Sequence, residues 1–469
     1  MSDTNRLYID GAWVTPHSGE TVDVLNPTTE EVLATIPNAD ADDVDAAVEA
    51  AERALPAWAA LGWEKRAEHV AKLLDYLEEH NDELVQTIAK ELGCPVSIAQ
   101  VMHVGLPVAE ARSQIEFAKD VEWQREIGNT LVVKEPVGVV AAIAAWNFPM
   151  ILTLRKMAPA LLAGCTMVLK PSVDVSLFAF IVARAAEAAG VPAGVFNLVT
   201  GRGETTGEAL ITHPKVNMLS FTGSTAGGRR MAKVAAEDFK RIHLELGGKS
   251  AMVTLPDADV TAAVNATTYW TWLNTGQACS ALTRIIVPRE KLAEAEEAAK
   301  ASAAAVVVGD PLSPQSTMGP LVSERQLQIV NGYIEKGLAD GSKLVVDGRG
   351  VQAGTGYFLG PTVFSDVAPG STIDQEEIFG PVLSITPYDT VEEAIEIANG
   401  TPYGLAAGVY GPEEQAFEVA AKLKAGQVQV NDGQFNPLAP FGGFKQSGIG
   451  RENGPGSIDE YLEVKAIQR

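Results

Sequence analysis

The sequence predicts an α/β protein built on a mostly parallel, doubly wound sheet. After residue 137, short apolar strands alternate with amphipathic helices, and this alternation is typical of parallel sheets with helices on both faces. Glycine-containing turns follow several of these strands and open helices, which is where doubly wound sheets bind ligands. A length of 469 residues predicts about three domains.

The elements follow one another in a regular order. Short strands and turns fill the first forty residues, and helices that begin at Asp40 or Asp42 extend to about Lys119, interrupted by Pro95 and Pro107. Apolar stretches between turn residues predict strands at residues 137–145, 166–169, 195–199, 218–221 and 283–287. Apolar residues at helical spacing predict helices at residues 150–162, 177–189, 204–212, 226–237, 258–275 and 293–306, with further α/β units to residue 430.

Two β-rich segments, at about residues 122–133 and 461–467, have no local strand partner. We therefore expect them to pair with each other or with another subunit. The chain shows no internal repeat, low-complexity tract or flexible linker, so its domains should be interleaved rather than arranged in series.

Composition excludes several classes of protein. Lys and Arg number 36 against 60 Asp and Glu, and the net charge of −24 argues against a nucleic-acid partner or a polybasic membrane attachment. The three cysteines are too far apart to predict a disulfide scaffold or a metal site. The longest apolar run, residues 137–145, is too short to span a bilayer, and no signal segment is evident. We expect a cytoplasmic protein.

Three residues suggest chemistry by their local sequence. Cys279 ends a turn of small residues in which a thiolate could be accessible, although a free cysteine is more often a small buried hydrophobe. Glu245 lies between leucines, where desolvation would raise its pKa into the range of a general base, although it could equally be a surface residue beside a turn. Asn147 follows a buried strand and could donate its amide to an oxyanion or simply form a turn.

Three further turns suggest a nucleotide. Lys170-Pro-Ser172 follows a predicted strand, and a lysine there can bind ribose hydroxyls or phosphate. The glycine-containing turns at residues 201–207 and 221–225 each follow a strand and open a helix, so their amides could cradle phosphate. The GxGxxxG spacing at Gly201 is not the usual dinucleotide fingerprint and recurs at Gly348 and Gly448, so it is weak evidence.

Taken together, these residues belong to a known pattern, because the chain resembles the aldehyde dehydrogenase superfamily from about residue 7 to residue 467. Seven motifs occur in the family's order. They are Trp146-Asn-Phe-Pro149, Lys170-Pro-Ser172, Phe221-Thr-Gly-Ser-Thr225, Glu245-Leu-Gly-Gly-Lys249, Gly276-Gln-Ala-Cys279, Glu377-Ile-Phe-Gly-Pro381 and Pro440-Phe-Gly-Gly-Phe-Lys-Gln-Ser-Gly448.

The resemblance implies an architecture of two doubly wound α/β domains and a bridging β-segment. A Rossmann-like cofactor-binding domain would comprise residues 1–121 and 135–246, and a catalytic domain residues 247–454. Residues 122–134 and 455–469 would form bridging strands between subunits of a homodimer or homotetramer.

The resemblance also implies catalytic roles. Cys279 would be the nucleophile that forms a thiohemiacetal and then a thioester, and Asn147 with the Cys279 N–H would form the oxyanion hole. Glu245 would be the base that activates water to hydrolyse the thioester. Retention of these residues argues against an inactive structural relative, and Glu245 argues against an enzyme that passes the acyl group to coenzyme A.

The implied cofactor is NAD, with NADP use possible. Lys170 and Glu377 would hold its riboses, and Phe379 would pack near the nicotinamide. The other implied cofactor residues are Trp146, Ser172, Gly203, Gly207, Gly223 and Ser224. Val173 departs from the pattern, because family members that prefer NAD commonly have a glutamate at this position.

The implied substrate tunnel is apolar and partly aromatic, which favours medium aliphatic or aromatic aldehydes. Its residues are Phe148, Ile151, Leu152, Leu273, Phe435 and Phe441. Arg155 leaves an alternative open, because relatives that oxidise semialdehydes carry an arginine there that binds the substrate carboxylate. Those relatives have a second arginine at the position of Leu273.

Overall fold

Two large sheets form the framework of residues 3–469, the part of the chain that the computed structural model describes. In spatial order, the eight strands of the first sheet are Gly448–Ile449, Arg241–Glu245, Met218–Thr222, Val139–Ile143, Thr166–Lys170, Phe196–Leu198, Leu7–Ile9 and Ala12–Val14. The seven strands of the second are Lys343–Val346, Thr362–Ser365, Val382–Tyr388, Leu282–Pro288, Ser250–Thr254, Ala406–Tyr410 and Gln427–Val430.

The strand Val139–Ile143 is the switch point of the first sheet. The chain proceeds from it to Thr166–Lys170 on one side and later to Met218–Thr222 on the other, and all three strands are parallel. A doubly wound sheet binds its ligands in the crevice at such a reversal, outside the carboxyl ends of the strands. Trp146 and Asn147 follow the switch-point strand directly, so the fold places them at this crevice.

Helices cover both sheets. The α-helices are Ala41–Ala60, Trp63–Glu79, Asn81–Leu92, Val96–Ile98, Leu106–Asp120, Pro149–Ala163, Leu177–Ala188, Glu208–Thr212, Thr225–Asp238, Val260–Trp272, Leu292–Ala304, Glu324–Ala339, Thr372–Gln375, Val391–Asn399 and Glu413–Ala420. The π-helical turns are Ala99–Gly105 and Gly203–Gly207, and the 3₁₀ turns are Leu273–Gly276, Arg289–Lys291, Lys445–Ser447 and Asp459–Tyr461. Within residues 3–469, every helix is too short or too polar to cross a membrane.

Two local predictions have clear outcomes. Asp40 begins the first helix, because its carboxylate accepts hydrogen bonds from the N–H groups of Asp42 and Asp43. Pro107 does not interrupt the helical layer, contrary to the prediction. It lies in the first turn of Leu106–Asp120, where a proline costs no intrahelical hydrogen bond, and the π turn leads directly into that helix.

The two β-rich segments pair with each other. Gln124–Ile127, Thr130–Pro136 and Leu462–Gln468 form an antiparallel three-stranded sheet in which Leu462 pairs with Pro136 and Gln468 with Thr130. Thr21–Leu25 and Val32–Pro37 form a separate two-stranded sheet.

The interleaving of the chain is closer than the predicted domain boundaries suggest. Gly448–Ile449 falls in the segment predicted for the catalytic domain, yet it pairs with Arg241–Glu245 in the first sheet. The Ser447 side chain holds it there by donating to the Gly247 carbonyl oxygen at 2.7 Å. Residues 1 and 2 of the predicted cofactor-binding domain lie outside the described residues.

Candidate active site

A strained, hydrogen-bonded turn holds Cys279. Asn274 and Thr275, which precede it, adopt φ of 52° and 58°, a region that side chains other than glycine rarely occupy. The Asn274 side chain donates to the Asn147 carbonyl oxygen at 2.8 Å, and the Gln277 side chain donates back to the Asn274 carbonyl oxygen at 3.1 Å. These bonds tie the turn that carries Cys279 to the turn that carries Asn147.

Close glycine contacts bring the end of the Glu245 strand against the same turn. A Cβ atom on Gly248 would lie 2.4 Å from the Cys279 carbonyl oxygen, so only glycine permits this approach. Gly276 has φ of +71°, and a Cβ there would lie 2.2 Å from the Gly380 backbone. Glycine is therefore required at positions 248 and 276, because a side chain at either position would prevent the close packing of the backbone around Cys279.

Glu245 is a buried carboxyl group without a hydrogen-bond partner on either oxygen. Burial, reinforced by the negative charge of Glu452, raises its pKa well above the ordinary range, although Lys156 and Arg155 act in the opposite direction. A carboxylate in this setting is a stronger base than one in water. The desolvation expected from its flanking leucines is therefore present.

The Cys279 thiol is half-buried and strongly disfavours ionisation. Burial raises its pKa to about 12, and the charges of Glu245 and Glu377 add to this effect. Since the thiolate is the nucleophilic form, the thiol must lose its proton before it attacks, and the negative charge of Glu245 opposes that loss.

A cavity of about 500 Å³ opens on Cys279 and Asn147. All seven residues predicted for the substrate pocket line it: Phe148, Ile151, Leu152, Arg155, Leu273, Phe435 and Phe441. The structure therefore brings together residues separated by nearly three hundred positions in the chain.

Other parts of the cavity wall were not predicted. Met102 and Leu106 belong to the π turn and the helix that follows it, and Trp270 comes from the helix before the Cys279 turn. Val428 and Val430 also line the wall. Gln427 and Gln429 of the same strand line the wall as well, so a two-residue period does not distinguish the lining residues of this strand. Met102 and Leu106 are four residues apart, a spacing that places both on one face of a helix.

Arg155 is engaged by a carboxylate of this protein. Its Nε and Nη2 donate to the two Glu110 oxygens at 2.8 and 2.7 Å, and its guanidinium lies 4.5 Å from the centre of the Phe441 ring. Burial alone would lower the pKa of Arg155, but Glu110 raises it above the ordinary value. The semialdehyde alternative requires a guanidinium available to a substrate carboxylate, and in this structure the Arg155 guanidinium is paired with Glu110.

Three of the implied cofactor residues make defined contacts within the protein. The Trp146 and Phe379 rings contact each other edge to face, with centroids 5.3 Å apart. Glu377 accepts the Gly248 N–H at 2.9 Å, and burial raises its pKa to about 7.

Other implied cofactor residues lie at the end of the strand Thr166–Lys170. Gly203 and Gly207 bound the π turn beside Lys170, and a Cβ on Gly207 would lie 3.5 Å from Lys170 Cε. Burial lowers the pKa of Lys170 to about 8. Ser172 donates its hydroxyl to the Asp174 carboxylate at 3.3 Å.

The crevice has groups that fit a dinucleotide. Ser224 caps the helix Thr225–Asp238, which begins directly after Gly223, and its hydroxyl accepts the Gly227 N–H. The Thr222 hydroxyl is buried without a partner at the end of the adjacent strand, and Gly203 has open space where a side chain would stand. Amide donors at a helix N-terminus suit phosphate, and the Lys170 ammonium and Glu377 carboxylate suit ribose hydroxyls.

Comparisons with known proteins agree with this geometry. Residues 13–467 match the model of the aldehyde dehydrogenase family. A solved aldehyde dehydrogenase C from Pseudomonas syringae, a cysteine-to-alanine variant complexed with NAD⁺ and octanal, is 44% identical with a TM-score of 0.98 and covers 100% of this chain and 97% of that one. The Mycobacterium tuberculosis aldehyde dehydrogenase complexed with NAD⁺ is 41% identical with a TM-score of 0.96, covering 99% and 98%.

A sequence relative, 3-succinoylsemialdehyde-pyridine dehydrogenase from Pseudomonas, is 42% identical over 471 residues, which cover 100% of this chain and 99% of the relative. These matches confirm the predicted fold, with its two doubly wound α/β units, and close structural homologues bind NAD⁺. The chain thus belongs to the aldehyde dehydrogenase family of oxidoreductases.

Proposed function

We propose that this aldehyde dehydrogenase uses NAD⁺ to oxidise medium-chain aliphatic or aromatic aldehydes to carboxylic acids. The observation that carries the proposal is the apolar cavity of about 500 Å³ with Cys279 and Asn147 on its wall. Phenylalanine, leucine and isoleucine side chains supply most of its predicted lining, and an apolar substrate gains binding energy by leaving water for such a surface. The octanal bound to the Pseudomonas syringae relative is an aldehyde of this class.

Each chemical step has a residue of the required type. The Cys279 thiolate adds to the aldehyde carbon, and the Asn147 amide and Cys279 N–H stabilise the oxyanion of the thiohemiacetal. When bound, NAD⁺ would supply the acceptor for the hydride that leaves that carbon. Glu245 then takes a proton from the water that attacks the resulting thioester, the C–S bond breaks, and the carboxylic acid leaves.

The burial of Glu245 suits this role. A carboxylate that is stripped of hydrogen bonds is a stronger base than one in water, so its raised pKa favours proton abstraction. The same residue disfavours transfer to coenzyme A, because it promotes attack by water.

The oligomeric state of the protein is also a proposal. We expect a homodimer or homotetramer, because the three-stranded sheet of the bridging segments exposes Ile127, Val464 and Ile467. Exposed apolar side chains on a sheet edge are typical of strands that another subunit covers. Light scattering would measure the mass, and a monomer at micromolar concentration would contradict this part.

A substrate panel tests the proposal. We expect kcat/KM to be at least about tenfold higher for octanal, hexanal or benzaldehyde than for succinic semialdehyde, a difference of about 1.4 kcal/mol in transition-state binding. Cys279→Ala should abolish oxidation of all four aldehydes while NAD⁺ binding, followed by tryptophan fluorescence, is retained. A clear preference for succinic semialdehyde would refute the apolar-aldehyde assignment, and full activity in the Cys279→Ala variant would refute the mechanism.

A further inference from the structure

A histidine that no step above uses lies in the same buried cluster as Glu245. His243 and Glu245 are two residues apart on the strand Arg241–Glu245, and the His243 ring is buried with neither nitrogen hydrogen-bonded. An imidazole in this state gives up the hydrogen bonds that water would supply, which is costly for a group that only fills space. The free energy lost by burying this ring without hydrogen bonds suggests that His243 has a functional role.

The ring lies between a buried carboxylate and one that reaches the surface. Its Nδ1 is 3.8 Å from Oε1 of Glu452, which in turn accepts from Lys156 Nζ at 2.6 Å. On the other side is Gly450, where a Cβ would lie 2.3 Å from His243 Cδ2 and 3.2 Å from Glu460 Oε2. Glu460 is half-buried and accepts the Arg451 N–H at 3.3 Å.

Gly450 makes this arrangement possible. Its φ of +88° and the tight contact with the ring exclude any side chain, so the glycine leaves His243 and Glu460 on two sides of the same small gap. A larger residue there would separate the imidazole from the half-buried carboxylate.

We propose that His243 carries the proton released during thioester hydrolysis from Glu452 toward Glu460 and solvent. This inference depends on the proposed hydrolytic function. Water adds to the acyl carbon, its proton passes to Glu245, and the C–S bond breaks to release the Cys279 sulfur. Glu245 must then lose that proton before the next turnover. Glu452 is a carboxylate of the same buried region, and its charge acts on Glu245.

His243 suits the transfer because it exists there as a neutral base. Burial lowers its pKa to about 4, with Lys156 and Arg451 acting in the same direction and Glu452 opposing them. Glu460 lies beyond Gly450, and the charges of Glu452 and Glu460 also act on the Tyr461 hydroxyl. A neutral imidazole accepts a proton at one nitrogen and releases one from the other, which leaves it neutral in the other tautomer. A flip of the ring or a return exchange of protons with solvent then restores the first tautomer before the next transfer.

The test separates acylation of Cys279 from deacylation. p-Nitrophenyl acetate acylates the enzyme without cofactor: the thiolate forms a C–S bond, and p-nitrophenolate leaves in a fast phase. Water then breaks that bond in a slow phase. We expect His243→Ala to keep the fast-phase amplitude and to slow the second phase at least about tenfold. Added imidazole should restore the slow phase with saturation, and the restored rate should follow the unprotonated fraction of imidazole as pH is varied.

His69→Ala is the matched control, because His69 is a half-buried histidine in the helix Trp63–Glu79, where its ring bonds the Ala189 carbonyl oxygen. It should leave both phases unchanged and show no response to imidazole. If His243→Ala does not fold, His243→Gln carries the same measurement, since glutamine fills the space but cannot relay a proton.

The proposal is wrong if the slow phase of either His243 variant runs at the wild-type rate, or if it is slowed in His243→Ala without any rescue by imidazole. Absence of the fast phase in the wild-type enzyme would instead overturn the proposed Cys279 chemistry.

Discussion

The buried ion pair of Arg155 and Glu110 beside the substrate cavity allows a test of how much this pair contributes to the stability of the protein. Its side chains are 6% and 2% exposed and form two charge-assisted hydrogen bonds of 2.7 and 2.8 Å. Glu110→Gln preserves the shape but leaves the guanidinium buried without a counter-charge. Removing one partner of a buried pair costs about 3–5 kcal/mol, and we expect a loss of free energy of unfolding in that range.

Arg289 and Asp389 supply the matched control. They form the same two-bond geometry, at 2.6 and 3.1 Å, but their side chains are 52% and 62% exposed. Asp389→Asn should leave the free energy of unfolding unchanged within error, because water and salt screen an exposed pair. Urea titrations of the two variants and the wild type, followed by fluorescence, provide the comparison.

A double variant isolates the cause. Replacing both partners, Glu110→Leu with Arg155→Met, leaves no buried charge and should recover most of the stability lost in Glu110→Gln. Glu110→Gln should also raise kcat/KM for succinic semialdehyde, since Arg155 lines the cavity and its guanidinium becomes available. Equal losses in Glu110→Gln and Asp389→Asn would refute the reasoning from burial.

Three further predictions concern the reaction. Glu245→Gln should lower kcat by about 10²–10⁴ while keeping a rapid burst of NADH in stopped-flow absorbance; unaltered steady turnover would contradict its role. The raised pKa of the Cys279 thiol leaves little thiolate at neutral pH. We therefore expect kcat/KM to rise by up to about tenfold per pH unit between pH 6 and pH 8, and a kcat/KM that does not change with pH would contradict this prediction. The ratio of kcat/KM for NAD⁺ to that for NADP⁺ should exceed one, and an advantage of NADP⁺ above about tenfold would reverse the assignment.

The central strands could be predicted because their residues are apolar without interruption. The stretch predicted at 137–145 contains the strand Val139–Ile143, and 218–221 contains all but the last residue of Met218–Thr222. Strands buried on both faces carry this pattern in the sequence itself. The prediction that Pro107 interrupts the helical layer was wrong, because the local sequence does not distinguish a proline in the first turn of a helix from one that breaks a helix.

The cavity wall shows where prediction from the sequence ends. Cys279 and Asn147 lie in recognisable turns, and the resemblance to the family implied the tunnel residues by their positions in its motifs. Met102 and Glu110 come from a helical layer whose contacts depend on long-range packing. A glutamate on an amphipathic helix ordinarily faces water, and only the folded chain shows that Glu110 faces Arg155.

The charges around Glu245 give a physical reason why this carboxyl group, and not another, is suited to act as the base. Arg155 and Lys156 are adjacent on the helix Pro149–Ala163, and each is neutralised by a different segment, through Glu110 and Glu452. Two cations are thus matched by two anions, and Glu245 remains without a partner in the same buried region. Ionisation of an unmatched carboxyl group costs the most there, so the ionised form of Glu245 has a stronger tendency than its neighbours to take up a proton from water.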